Sequence, residues 1–202
     1  MKKLSIGFSL LLAAALLAAT ERARFIPANA SSITITGLST IHEWSMSGST
    51  IDGSIDVAPE IAAAPASAEA WKSDRAALVS VKIPVAKINS PHDRMNRIML
   101  EAMKAKSYPE VRYDLLEARA LKGSPEAFVI ETRGKLTVAG ITRDLEMDVA
   151  AAKSGESRYV LTGEAPLKMT DFGITPPTAM MGTIRSADQV KVSFRWVVDR
   201  SN

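Results

Sequence analysis

From residue 33 onward, apolar residues recur at every second position, and this pattern most limits what the chain can fold into. Ile33 and Ile35 alternate with threonines and stop near Gly37. The same spacing continues at Trp44 and Met46, in a second strand expected to run through Gly48 and Gly53 to Val57. Val79, Val81, Ile83 and Val85 alternate with Ser80, Lys82 and Pro84. Further runs hold Val111, Tyr113 and Leu115; Phe128 to Val138; Ile141 to Val149; Tyr159 and Leu161; and Val190 to Val198. Period two gives each strand one apolar and one polar face. Short turns between strands imply antiparallel pairing. About eight such strands close into a barrel with no exposed edge.

Two stretches break the pattern. Residues 58–70 are alanine-rich, contain Pro59 and Pro65, and read as a surface loop. Residues 91–105 have helical period. Ser90 is a capping residue, Pro91 suits the first helical position, and Asp93 complements the positive helix end. Met95, Ile98, Met99, Ala102 and Met103 share one face, and Pro109 prevents continuation. The fold class is therefore all-β dominated, a closed antiparallel barrel with one inserted helix.

The amino end has a different character. Met1-Lys2-Lys3 is followed by an uncharged run, Leu4 to Ala19, and Ala28-Asn29-Ala30 fits a small-x-small cleavage pattern. Residues 1–30 thus read as a secretory signal peptide with Ser31 as the new terminus. Thr20 is a rival cleavage point, because Glu21, Arg22 and Arg24 are unusually charged for that region. An uncleaved anchor fits less well, since the run is shorter than the ~20 residues that span a bilayer. The formal charge of +3 resides in this leader: residues 31–202 keep 21 of the 25 basic and 21 of the 22 acidic residues. A neutral exported domain with dispersed basic residues argues against nucleic acid as partner. The chain has no cysteine, which excludes disulfides, lipidation at an N-terminal cysteine, thiolate metal sites and cysteine nucleophiles. A periplasmic location without a permanent membrane anchor follows as the expectation, and the polar outer faces suit a monomer or a homodimer.

Several motifs stand in order along the chain. They are Ser39-Thr40-Ile41-His42-Glu43-Trp44, Ala86-Lys87-Ile88, the helix, Ser107-Tyr108-Pro109-Glu110-Val111-Arg112-Tyr113, Gly134 to Thr142, Asp171-Phe172-Gly173-Ile174, and the Val192–Val198 strand. This ordered set resembles the YceI-like family of exported lipid-binding proteins over nearly all of residues 31–202. The resemblance implies a lipocalin-like barrel around an elongated apolar cavity that holds an isoprenoid or quinone-type lipid. It implies no other cofactor and no enzyme activity.

Candidate ligand-binding residues follow from the pattern and this resemblance together. Trp44, Met46, Val81, Ile83, Phe128, Phe172, Phe194 and Trp196 are the inward aromatic and aliphatic side chains. Ile98, Met99 and Met103 on the helix, with Met180 and Met181 on a loop, flank a cavity mouth. Methionine is flexible and polarizable and repacks around irregular apolar guests. Each of these residues could equally be plain core, so an envelope protein with a solid barrel is the alternative reading. A hydrolase is a third, but Gly-x-Ser-x-Gly and His-Glu-x-x-His motifs are absent. His42 and His92 are the only histidines. His42 and Glu43 point to opposite faces of a strand, which opposes a catalytic pair and leaves no assigned catalytic or metal-binding residue.

Overall fold

The computed structural model describes residues 21–73 and 76–201. Eleven strands form among the described residues: β1 Ala23–Pro27, β2 Ser32–Ser39, β3 Glu43–Gly48, β4 Asp52–Val57, β5 Ala77–Pro84 and β6 Glu110–Ser124; then β7 Ala127–Val138, β8 Ile141–Lys153, β9 Arg158–Lys168, β10 Thr178–Ala179 and β11 Ile184–Arg200. Two α-helices interrupt them, α1 Pro59–Ala63 and α2 Asp93–Ala102. Eight strands close an antiparallel ring in the order β1-β4-β5-β6-β7-β8-β9-β11, and β11 returns to β1. β2 continues beyond β1 along β11, with β3 paired to its far side.

The expected barrel and its inserted helix are present, and four local features differ. The strand expected from Trp44 to Val57 is two strands. β3 leaves β5 and instead pairs with the segment after it, where Ser47 and Asn89 exchange backbone hydrogen bonds of 2.8 Å each. Ile51 turns inward at the break and is buried, so the apolar alternation conceals the hinge. α2 is shorter than residues 91–105, because Lys104 adopts a left-handed φ of 52°. Its N-cap position is His92, with no side-chain cap. Ser90 is held by Asn96, whose Oδ1 accepts the Ser90 N–H at 2.7 Å and whose Nδ2 donates to the Ser90 carbonyl at 3.0 Å.

Residues 58–70 are no plain surface loop. α1 and a 3-10 turn at Ala68–Trp71 fold over one end of the barrel and bury Ile61 and Trp71 there. Trp71 Nε1 donates to the Pro65 carbonyl at 2.9 Å. These two side chains join Ala23, Val57, Phe128, Ile130 and Ala151 in one apolar cluster, the plug end of the barrel.

β1 lies ahead of Ser31, the first residue expected in the domain. Ala23, Arg24 and Phe25 pair with Val57, Asp56 and Ile55 of β4; Phe25, Ile26 and Pro27 pair with Arg200, Asp199 and Val198 of β11. The Phe25 ring meets Tyr159 edge-on at 5.7 Å. β1 is thus the stave that joins β4 to β11. Residues 1–20, which hold the apolar run of the expected leader, lie outside the described residues.

Candidate functional site

The ring encloses a cavity of about 810 Å³. That volume is within the range of ligand pockets, about 300–1,000 Å³. A solid core is therefore not what fills this barrel. Inward residues of the strands supply the wall: Ile33 and Ile35 from β2, Val79, Val81 and Ile83 from β5, Leu136 from β7, Val149 from β8, Leu161 from β9 and Phe194 from β11. The period-two pattern decides this directly, since each strand can turn only alternate side chains inward.

Two glycines set how the aromatic side chains lie. Gly37 of β2 sits opposite Trp44 of β3 in register. A Cβ on Gly37 would come within 2.4 Å of the Trp44 indole. Gly163 of β9 sits opposite Phe194 of β11, and a Cβ there would lie 2.7 Å from the ring. Each ring therefore lies across the neighbouring backbone instead of projecting over a side chain. These two rings lie against the wall instead of projecting into the barrel.

Twelve of the thirteen candidate residues line the cavity: Trp44, Met46, Val81, Ile83, Ile98, Met99, Met103, Phe128, Phe172, Met180, Phe194 and Trp196. Met181 does not. Its side chain is fully exposed. Met180 and Met181 are both left-handed, with φ of 51° and 54°, a turn that sends the two adjacent side chains apart. The α2 face of Met95, Ile98, Met99, Ala102 and Met103 covers the cavity as its spacing requires.

Sequence reasoning missed Phe25, Tyr113, Tyr159 and Trp71 as lining residues. Tyr113 and Tyr159 follow the inward parity of their strands, so that signal was available. Phe25 lay inside the expected leader and Trp71 beyond the expected loop. Burial pushes both tyrosine hydroxyls above their ordinary pKa; Glu126 adds to the shift at Tyr159. The Thr132 hydroxyl beside Tyr113 donates to the Met147 carbonyl at 2.9 Å. Trp196 Nε1 is buried in the wall without a hydrogen-bond partner among the described residues.

Polar groups gather where the cavity meets the surface. At the plug end these are Lys153, Glu156, Ser157 and Arg200. At the other end, the rim, they are Ser39, His42, His92, Arg94 and Lys168. Three segments build the rim: the β2–β3 turn, the start of α2 and residues 169–184. They are tied together. Thr40 N donates to the Arg185 carbonyl at 3.0 Å, and Arg94 Nη1 lies 4.0 Å from Met180 Sδ. Asp188 holds the 169–172 turn by accepting from Thr170 N at 2.9 Å and Thr170 Oγ1 at 2.7 Å. Those two bonds keep its carboxyl below the usual carboxylate range. The turn carries Phe172 into the cluster beneath α2.

His42 Nδ1 lies 2.7 Å from the Glu43 carbonyl oxygen, a backbone contact within the turn. Among the described residues, no group of three His, Asp or Glu side chains comes together to hold a metal ion. No helix among them is long and apolar enough to cross a membrane. What the arrangement can do is enclose a long apolar body in an apolar bore with charged groups at both ends.

No curated protein matches the chain. Several solved structures share its fold. A polyisoprenoid-binding domain from Saccharophagus degradans, implicated in plant cell wall breakdown, superposes with a TM-score of 0.65 at 11% identity, covering 90% of this chain and 100% of that one. BcnA of Burkholderia cenocepacia gives 0.63 at 18% identity, covering 83% and 95%. The Campylobacter jejuni YceI protein gives 0.54 at 18%, covering 76% and 82%. The model of the YceI-like domain matches residues 26–198. With the barrel, its inserted helix and a match over that span, the chain belongs to the YceI-like domain family.

Proposed function

We propose that this protein is an exported, periplasmic carrier that sequesters a long apolar lipid, an isoprenoid chain or a quinone-type tail, inside its barrel. The observation that carries the reading is the apolar cavity of about 810 Å³ within a closed wall. The family membership and the structural likeness to a polyisoprenoid-binding domain support the ligand class. Binding is reversible burial, with no bond made or broken. Each buried CH₂ contributes ~0.8 kcal/mol, so one five-carbon unit supplies roughly 4 kcal/mol before ordering costs. A few units are enough for tight binding without any specific polar contact.

The barrel also bears on where the leader ends. β1 supports cleavage after Thr20 over cleavage after Ala30, since the latter would remove a stave of the wall. The family match from residue 26 points the same way.

Native mass spectrometry of the purified protein, followed by lipid extraction, tests the reading. The expected result is a stoichiometric adduct that yields a prenyl-chain lipid. No adduct from cells, together with no uptake of added polyprenol or ubiquinone, would overturn it.

A further inference from the structure

The wall of the bore holds two polar atoms that burial of an apolar chain leaves unused. Trp196 is 3% exposed, and its Nε1 is buried with no hydrogen-bond partner among the described residues. The other two tryptophans are satisfied. Trp44 Nε1 donates to the Leu38 carbonyl at 3.3 Å, and Trp71 Nε1 to the Pro65 carbonyl at 2.9 Å. The Tyr113 hydroxyl is the second such atom, shut off from solvent and completing no hydrogen bond among the described residues. The Thr132 hydroxyl beside it gives its own proton to the Met147 carbonyl. An indole N–H can only donate, and a buried donor left unpaired opposes the folded state. Native proteins pair nearly all such groups.

Both side chains line the cavity. They stand on opposite staves, since β6 and β11 are as many strands apart one way round the ring as the other. Tyr113 packs against the cluster beneath α2, and Trp196 belongs to the cluster of Ile33, Ile51 and Ile88. Flexible methionines accompany each: Met99 and Met169 the first, Met46 and Met95 the second. Such side chains repack around a guest, which uncovers a polar edge without moving the strands. The charged lining residues Arg94, Lys153, Glu156, Lys168 and Arg200 lie at the two ends, so among the described residues no counter-charge meets a guest in the middle.

We infer that Trp196 Nε1 and the Tyr113 hydroxyl donate hydrogen bonds to neutral carbonyl oxygens of the bound lipid, so that its head group is buried in the bore and not left at the mouth. The inference rests on the lipid-carrier reading and narrows its ligand. A quinone-type head satisfies the donors, and a pure hydrocarbon leaves both unpaired. A phosphate head would bring an uncompensated charge against a dry wall. Burial of the tail supplies the bulk of the affinity, and the two donors supply the preference for an oxygenated head.

The test sets two probes with the same tail, farnesyl-1,4-benzoquinone and farnesylbenzene, in competition for the purified protein, read by native mass spectrometry. The parent is expected to favour the quinone by at least about tenfold. Tyr113→Phe removes only a hydroxyl, and Trp196→Phe removes the indole N–H. Each should reduce that preference roughly threefold, and the double variant should bring it close to parity. In the infrared spectrum the carbonyl stretch of the bound quinone should lie below its position in hexane. It should rise toward that position in each variant, a shift that a packing role alone does not produce.

Equal binding of the two probes by the parent overturns the inference and leaves the carrier reading standing, as does a preference that neither variant changes. A trapped water that satisfies the donors would give the same result. Uptake of neither probe by the parent refutes the carrier reading and the inference with it. Should Trp196→Phe fail to fold, the Tyr113→Phe result decides.

Discussion

The role of β1 gives the sharpest prediction. Two versions of the chain are compared, one beginning at Glu21 and one at Ser31. The shorter one lacks Phe25, whose half-buried ring is worth about 2 kcal/mol by area and about 1 kcal/mol more through its edge contact with Tyr159. It also lacks the backbone pairing that joins β4 to β11, including Ser201 N to the Arg24 carbonyl and Ala28 N to the Val197 carbonyl, each at 2.8 Å. Those bonds contribute roughly 1 kcal/mol apiece, partly offset by the freedom the strand regains. In addition, Val57 and Val198, both buried beside the gap, gain access to water. The net loss is about 3–6 kcal/mol, a large share of a typical domain's total, and corresponds to roughly 10–20 °C in melting temperature. Thermal unfolding by circular dichroism measures it, and the intact mass of the protein purified from cells locates its mature terminus. Equal melting of the two chains would refute the structural role of β1. An exported mass that begins at Ser31 would refute cleavage after Thr20.

Other outcomes follow from the cavity and its rim. Met99→Asp places a charge on the α2 face over the lumen; a prenyl-chain probe should bind at least about tenfold more weakly while the barrel's circular dichroism is kept. In Gly163→Ala the new methyl would lie 2.7 Å from the Phe194 ring. The ring must tilt into the lumen, costing about 1–3 kcal/mol of stability, and displacing even one guest CH₂ weakens binding about fourfold. For Asp188 the folded pKa is lowered, so its stabilising effect is present above the ordinary carboxylate pKa of about 3.9 and is lost as pH falls through the folded value. Asp188→Asn should therefore be less stable than the parent near neutral pH, the difference shrinking below about pH 4 in urea titrations.

The barrel was legible because its strands each solve the same problem, one face dry and one wet, and alternation records that solution residue by residue. The helix was legible for the same reason at a different period. The break between β3 and β4 was not, because Ile51 is buried at the hinge and keeps the rhythm unbroken. The plug was not, because only Ile61 and Trp71 anchor it within a run of alanines. Met181 was misassigned because two successive left-handed residues redirect it, and methionine gives no hint of that conformation. Whether the inward faces meet or leave a void depends on cross-strand register, as at Gly37 with Trp44, and a linear pattern contains no register.

The placement of rings against glycine backbone has a consequence for any chain that enters. Where the Trp44 and Phe194 rings lie over Gly37 and Gly163, the wall presents few steps along the barrel axis. A guest built of identical units meets nearly the same surroundings after sliding by one unit. Its bound state is then a ladder of positions of similar energy, selected by overall length and by where its end group stops. In the carrier reading proposed above, such a barrel would measure how long a chain is and read little of the chemistry along it.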